Sequence, residues 1–109
     1  MLAGDAMQAL AFEVLTPGDA VVPPVLQARL CGLLARAAGQ DGMAGGQAID
    51  LASIGQPLNE SALRDMHHRK TGALLQTSVL MGAACGTTDA AAWQALTEFG
   101  DAIGLAFQV

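Results

Sequence analysis

The chain is 109 residues long, room for one small domain, and 52% of it is hydrophobic against 14% charged. Its formal net charge of −5, with only five Lys+Arg, disfavours nucleic acid or an anionic membrane surface as a partner. A lone globule of this size has much surface for its volume, so a chain this apolar is expected to bury part of itself against something else.

Helical periodicity runs throughout. In "LAGDAMQALAFEVL", Leu2, Ala6, Leu10 and Val14 form a stripe at four-residue spacing, widened by Ala3, Met7 and Phe12. "TPGD", Thr16 to Asp19, stops that helix. Pro23-Pro24 opens a second, because proline is tolerated in a first turn. It carries Leu26, Leu30, Leu33, Leu34 and Ala37, with Gly39 to cap its end. "GMAGGQAIDLASIG" reads as a third helix rich in small residues. Asn59 or Ser61 starts a fourth at "SALRDMHHRKTG", running on through "ALLQTSVLMGAAC" to Gly86. Thr88-Asp89 caps a fifth, "AAAWQALTEFGDAIGLAFQV", which is still in pattern at Val109. No alternation is long enough for a strand, so the fold class is all-α, an antiparallel helical bundle. Met1-Leu2 enters helix without a cap and Val109 ends inside one, so the chain is expected to be the central piece of something longer.

Cys31 and Cys85 lie in Ala-rich apolar runs and read as buried free thiols of a reducing compartment. No basic segment leading into an apolar core and cleavage site opens the chain, so no secretory signal is expected, which points to the cytoplasm. Thr71 to Thr88 carries no charge and follows a basic cluster, as a membrane span could. Gln76, Thr77 and Ser78 at its middle, and its many small residues, favour a buried bundle helix instead.

Four local groupings bear on chemistry. The glycines of "GMAGGQ" follow no strand and fit neither phosphate-loop pattern, which leaves close helix–helix approach. His67 and His68 are adjacent, about 100° apart on a helix, so they cannot share a metal as an i, i+4 pair would. Gln47 and Asp50 share a helix face with Met43 and Ile54, either as a solvated edge or toward a cation or ligand. Lys70-Thr71 sets an ammonium beside a hydroxyl, the chemistry of a phosphate grip or of a surface lysine at a kink.

Together these groupings are more specific. "GDAMQALAFEVL", "GMAGGQAIDL", "HHRKTGALL" and "GDAIGLAFQV" occur here in the order and spacing of the trans-type isoprenyl diphosphate synthases. The chain resembles that family over essentially its whole length, and the bacterial farnesyl diphosphate synthases (geranyltranstransferases) most closely in wording. The family carries an Asp-Asp-x-x-Asp motif shortly before the "GDA" helix and another after "FQV"; neither occurs in this chain, which resembles the central part of a polyprenyl synthetase domain.

The resemblance implies the isoprenoid synthase fold and a homodimer. It also implies a reaction, in which dimethylallyl or geranyl diphosphate ionises and condenses with isopentenyl diphosphate to give farnesyl diphosphate. Three magnesium ions and basic side chains would stabilise the leaving diphosphate, but the principal metal ligands lie outside this sequence, and the segment alone is expected to be inactive. By resemblance, Lys70 contacts the allylic diphosphate and Thr71 lies near the reacting carbon as the catalytic pair. Gln108 helps hold the same site, and Gln47 and Asp50 line the allylic pocket. Apolar residues after Thr71 wall the tunnel for the prenyl tail, while Arg69 and the histidines sit at the helix surface or behind the site. The resemblance assigns no metal ligand to this chain. A non-catalytic helical interaction module and a membrane-embedded hairpin are the rival readings. A scaffold alone would not need Lys, Gln and Asp toward one cavity, which favours an enzyme.

Overall fold

The computed structural model describes residues 1–18 and 21–108. Six α-helices account for most of them: α1 (Leu2–Leu15), α2 (Pro24–Ala38), α3 (Met43–Ala52), α4 (Glu60–His67), α5 (Ala73–Ala84) and α6 (Ala90–Phe107). Between α4 and α5 the chain makes a π-helical turn, His68–Gly72, so Glu60 to Ala84 is one interrupted rod. The described residues contain no strand, as the sequence predicts.

The boundaries follow local chemistry. Pro24 occupies the first turn of α2, where its missing N–H costs nothing. Gly39 ends that helix with φ −83°, an extended cap rather than a left-handed one. The carboxamide of Asn59 accepts from the Ala62 N–H at 2.8 Å, so Asn59 and not Ser61 caps α4. The Asp89 carboxylate does the same for Ala92 at 2.7 Å at the head of α6. Gly55, at φ +78°, turns the chain after α3 in a conformation that suits glycine. Asp19 of the "TPGD" stop and Val109 of the last helix lie outside the described residues.

The order of packing is α1 on α2, α2 on α5, and α5 on α6, with α3 laid against α4 and the π turn. A Cβ added at Gly104 would stand 2.9 Å from the Gly72 Cα, and one at Gly100 2.8 Å from the Gln76 Cα. Positions rising along the rod meet positions falling along α6, so the two run antiparallel. Their backbones touch where side chains would otherwise hold them apart. At the other end of α6 the Arg29 guanidinium of α2 lies 4.6 Å from the centre of the Trp93 ring.

The assembly is a slab of 51 × 38 × 18 Å, less than two helix diameters thick. Its radius of gyration, 15.5 Å, exceeds the about 13 Å of a compact chain near this length. Few side chains are therefore buried: Leu30, Ala37, Ala38, Met66, Thr77 and Leu80. The open slab leaves one helix face bare and changes one expectation. The stripe on α1 buries nothing, and Leu2, Leu10 and Val14 are all more than half exposed. The cysteines are free but not buried: Cys31 is half-buried and Cys85 exposed. Cys85 caps the C-terminal end of α5. Among the described residues no helix is long and apolar enough to cross a membrane, which disfavours the hairpin.

Candidate active site

The π turn is the centre of the candidate site. Its signature is the Ala73 N–H, which donates to the His68 carbonyl five residues back rather than four. Such turns accommodate one extra residue inside a helix and are frequent at functional sites. Here the turn comprises His68, Arg69, Lys70, Thr71 and Gly72, which span the join between the basic cluster and the uncharged run. α3 lies on one side of it and α6 on the other.

The α3 side is built on Gly46. A Cβ there would fall 2.3 Å from the Lys70 nitrogen and 2.7 Å from its Cα, so only a glycine lets α3 come this close. One turn further along α3, Asp50 accepts from Lys70 Nζ at 2.5 Å. The two side chains are 36% and 42% exposed. A pair so open to water adds little to stability; its effect is to aim the ammonium. One of the three Lys70 donors is engaged by Asp50, which leaves two for another acceptor. Thr71 is half-buried beside it, and Gln47 lies on α3 with an exposed side chain. Asp50 therefore meets a cation while staying partly open to water.

The α6 side is different. A cavity of about 290 Å³ opens there, walled by Arg64, His67 and His68 from the rod and by Asp101, Leu105 and Gln108 from α6, with Gly72 and Gly104 between them. Gln108 is the residue that ends α6. Lys70, Thr71, Gln47 and Asp50 are absent from this wall. The structure thus brings Lys70 and Asp50 together and puts Gln108 on the opposite flank of the same turn. The reason is the helix itself: His68 and Gly72 face α6, and Lys70, two residues from each, faces away.

Asp101 is a residue the sequence reading did not select. It lies seven residues before Gln108 in the sequence. Asp101, Gly104, Leu105 and Gln108 follow an i, i+3, i+4, i+7 pattern, one helix face, and that spacing was the available signal. The Asp101 carboxylate accepts from Gln76 Nε2 at 2.8 Å and stands 3.7 Å from His68 Nδ1. Arg69 does sit at the surface, paired with Asp65 at 3.0 Å. Among the described residues no three His, Cys, Asp or Glu gather into a group that could hold a metal ion.

A second, more open hollow of about 470 Å³ separates α1 from α2 and α5. Met7, Leu10 and Val14 line it on one side, Leu34, Ser78 and Met81 on the other.

Comparison with known proteins agrees with this architecture. Farnesyl diphosphate synthase of Geobacillus stearothermophilus is 44% identical over the whole chain, which spans 37% of that enzyme's length. Among solved structures, an FPP/GFPP synthase from Zymomonas mobilis superposes with a TM-score of 0.91 at 40% identity, over 98% of this chain and 39% of its own. A geranyltransferase from Helicobacter pylori, in complex with magnesium and isoprenyl diphosphate, gives 0.89 at 34% identity, over 98% and 35%. The chain spans little more than a third of the relatives it matches. The polyprenyl synthetase family profile matches residues 1–109, and with helices, glycine contacts and motif order all in agreement, the chain belongs to the polyprenyl synthetase family.

Proposed function

We propose that the chain is the central part of a prenyltransferase that condenses geranyl diphosphate with one isopentenyl diphosphate, or dimethylallyl diphosphate with two in succession, to give farnesyl diphosphate, for isoprenoid synthesis in the cytoplasm. The observation that carries this reading is the Lys70 ammonium, held by Asp50 on a π turn at the head of an apolar helix. A substrate with an anionic head and a hydrocarbon tail suits that arrangement.

In the reaction the allylic carbon–oxygen bond breaks and its electron pair leaves with the diphosphate. The allylic carbon then bonds to the isopentenyl double bond, and one proton is given up. Lys70 acts on the first step: its charge faces the oxygen on which negative charge grows, so it stabilises the transition state more than the bound substrate. Asp50 restricts the Lys70 side chain to the useful direction, and the Thr71 hydroxyl lies beside the reacting carbon. Gln47 binds the substrate from α3; the resemblance alone adds Gln108, which lines the cavity on the other flank of the turn. Leu74 and its apolar successors on α5 flank the tail.

The Helicobacter pylori relative holds magnesium with its isoprenyl diphosphate. Residues 1–18 and 21–108 do not form such a site, and the carboxylates for magnesium belong to sequence outside these residues. The exposed apolar face of α1, with Met7 at 66% and Val14 at 69%, is suited to meeting a second copy in a homodimer. The test of the whole reading is to incubate the full-length protein with geranyl and isopentenyl diphosphates and magnesium. Farnesyl diphosphate is expected; no prenyl product from geranyl diphosphate, nor from dimethylallyl diphosphate in its place, would leave the helical interaction module as the better reading.

A further inference from the structure

A single carboxylate oxygen on α6 faces both flanks of the π turn. Asp101 Oδ1 accepts from Nε2 of Gln76, beyond the turn, at 2.8 Å. The same oxygen is 3.7 Å from Nδ1 of His68, the first residue of the turn. Gln76 is anchored a second time to α6, through the Thr97 carbonyl at 3.2 Å. Below them Gly100 admits the Gln76 backbone, and Gly104 admits Gly72.

His68 and Gln76 are eight residues apart. In an uninterrupted α-helix, residues eight apart point about 80° away from each other, whereas residues seven apart nearly align. The extra residue in the π turn converts the first case into the second. Both flanks can therefore face one carboxylate only while the π turn persists. Were it to relax into α-helix, Lys70 would swing by about 100° relative to Gln76, away from Asp50.

We infer that Asp101 and Gln76 are positioning residues: their contact holds the π turn in the form that aims Lys70 at the diphosphate. The kinetic consequence rests on the prenyltransferase reading, whereas the structural one does not. In this role both act through Lys70 rather than on the reacting atoms.

The test uses the full-length protein with Gln76→Ala, Asp101→Ala and Asp101→Asn, the last keeping an oxygen that can accept from Gln76. Amide hydrogen exchange is measured across His68–Ala73, with the middle of α2 as reference. Loss of the bond should speed exchange in the turn about tenfold in both alanine variants, leave α2 unchanged, and be largely reversed in Asp101→Asn. In steady-state assays kcat should fall about tenfold with the KM for isopentenyl diphosphate unchanged. The same substitutions placed in a Lys70→Ala background should cost nothing more, which a general loss of stability would not reproduce. Should Asp101→Ala fail to fold, Gln76→Ala removes the other end of the same bond and yields the same readouts. Unaltered exchange in the turn, or a kcat loss that persists in full without Lys70, overturns the proposal. A protein without prenyltransferase activity refutes the enzyme reading alone, and exchange then decides this one.

Discussion

Gly46→Ala tests how the site is assembled, because its cost can be worked from the geometry. The new methyl would lie 2.3 Å from the Lys70 nitrogen, 2.7 Å from its Cα and 2.8 Å from its Cβ, against 3.4–4 Å for ordinary contact. These are backbone atoms and the first side-chain carbon, which cannot turn aside, so α3 must retreat by about 1 Å. Alanine gains about 1 kcal/mol over glycine in a helix interior. Overpacking a close contact costs about 1–3 kcal/mol, and a clash with backbone belongs at the upper end. The net expectation is a loss of about 2 kcal/mol, a fall of about 3 °C in Tm for a full-length protein nearly three times as long as this chain. Because the retreat also draws Asp50 away from Lys70, and a displacement of 1 Å can cost about 10² in rate, kcat should fall by about that factor. Gly82→Ala on α5 is the control, since nothing lies within 4 Å of its added Cβ. It should leave kcat alone and raise stability by up to about 1 kcal/mol. Thermal unfolding and steady-state kinetics of the full-length protein measure both. A Gly46→Ala variant with Tm and kcat unchanged would falsify the seating of α3 on the π turn.

Lys70→Ala should lower kcat by about 10²–10³ with a smaller change in KM, as expected for a charge that acts mainly in the transition state; equal kcat would remove Lys70 from the mechanism. Asp89→Ala deletes the carboxylate that caps α6 and should destabilise the protein by about 1 kcal/mol, read by denaturant unfolding, while an unchanged midpoint would show that the cap is dispensable. The 109-residue chain by itself, given geranyl and isopentenyl diphosphates with magnesium, should make no farnesyl diphosphate, because the acidic residues among its described positions do not gather into a metal site; product formation at the full-length rate would contradict that.

The helices were legible in the sequence because their causes are local. Pro24 in a first turn, Asn59 and Asp89 as caps, and apolar residues at helical spacing act over a few residues whatever the rest of the chain does. The family too was legible, since the order and spacing of four motifs are properties of a linear string. Lys70, Thr71, Gln47, Asp50 and Gln108 could be selected that way, but their mutual arrangement could not. Whether Asp50 meets a cation depended on how closely α3 approaches the rod, which Gly46 permits and only packing reveals. The π turn was invisible for the same reason: "HHRKTG" is an ordinary helical string, and the extra residue persists where α3 and α6 grip the turn from both sides. That turn decides which residues face which neighbour, putting Lys70 toward Asp50 and His68 toward Asp101. Burial was the least legible property of all. The stripe on α1 and the thiol of Cys85 are apolar by composition yet lie open, because whether a surface is covered depends on which helices pack over it and not on the segment that carries it.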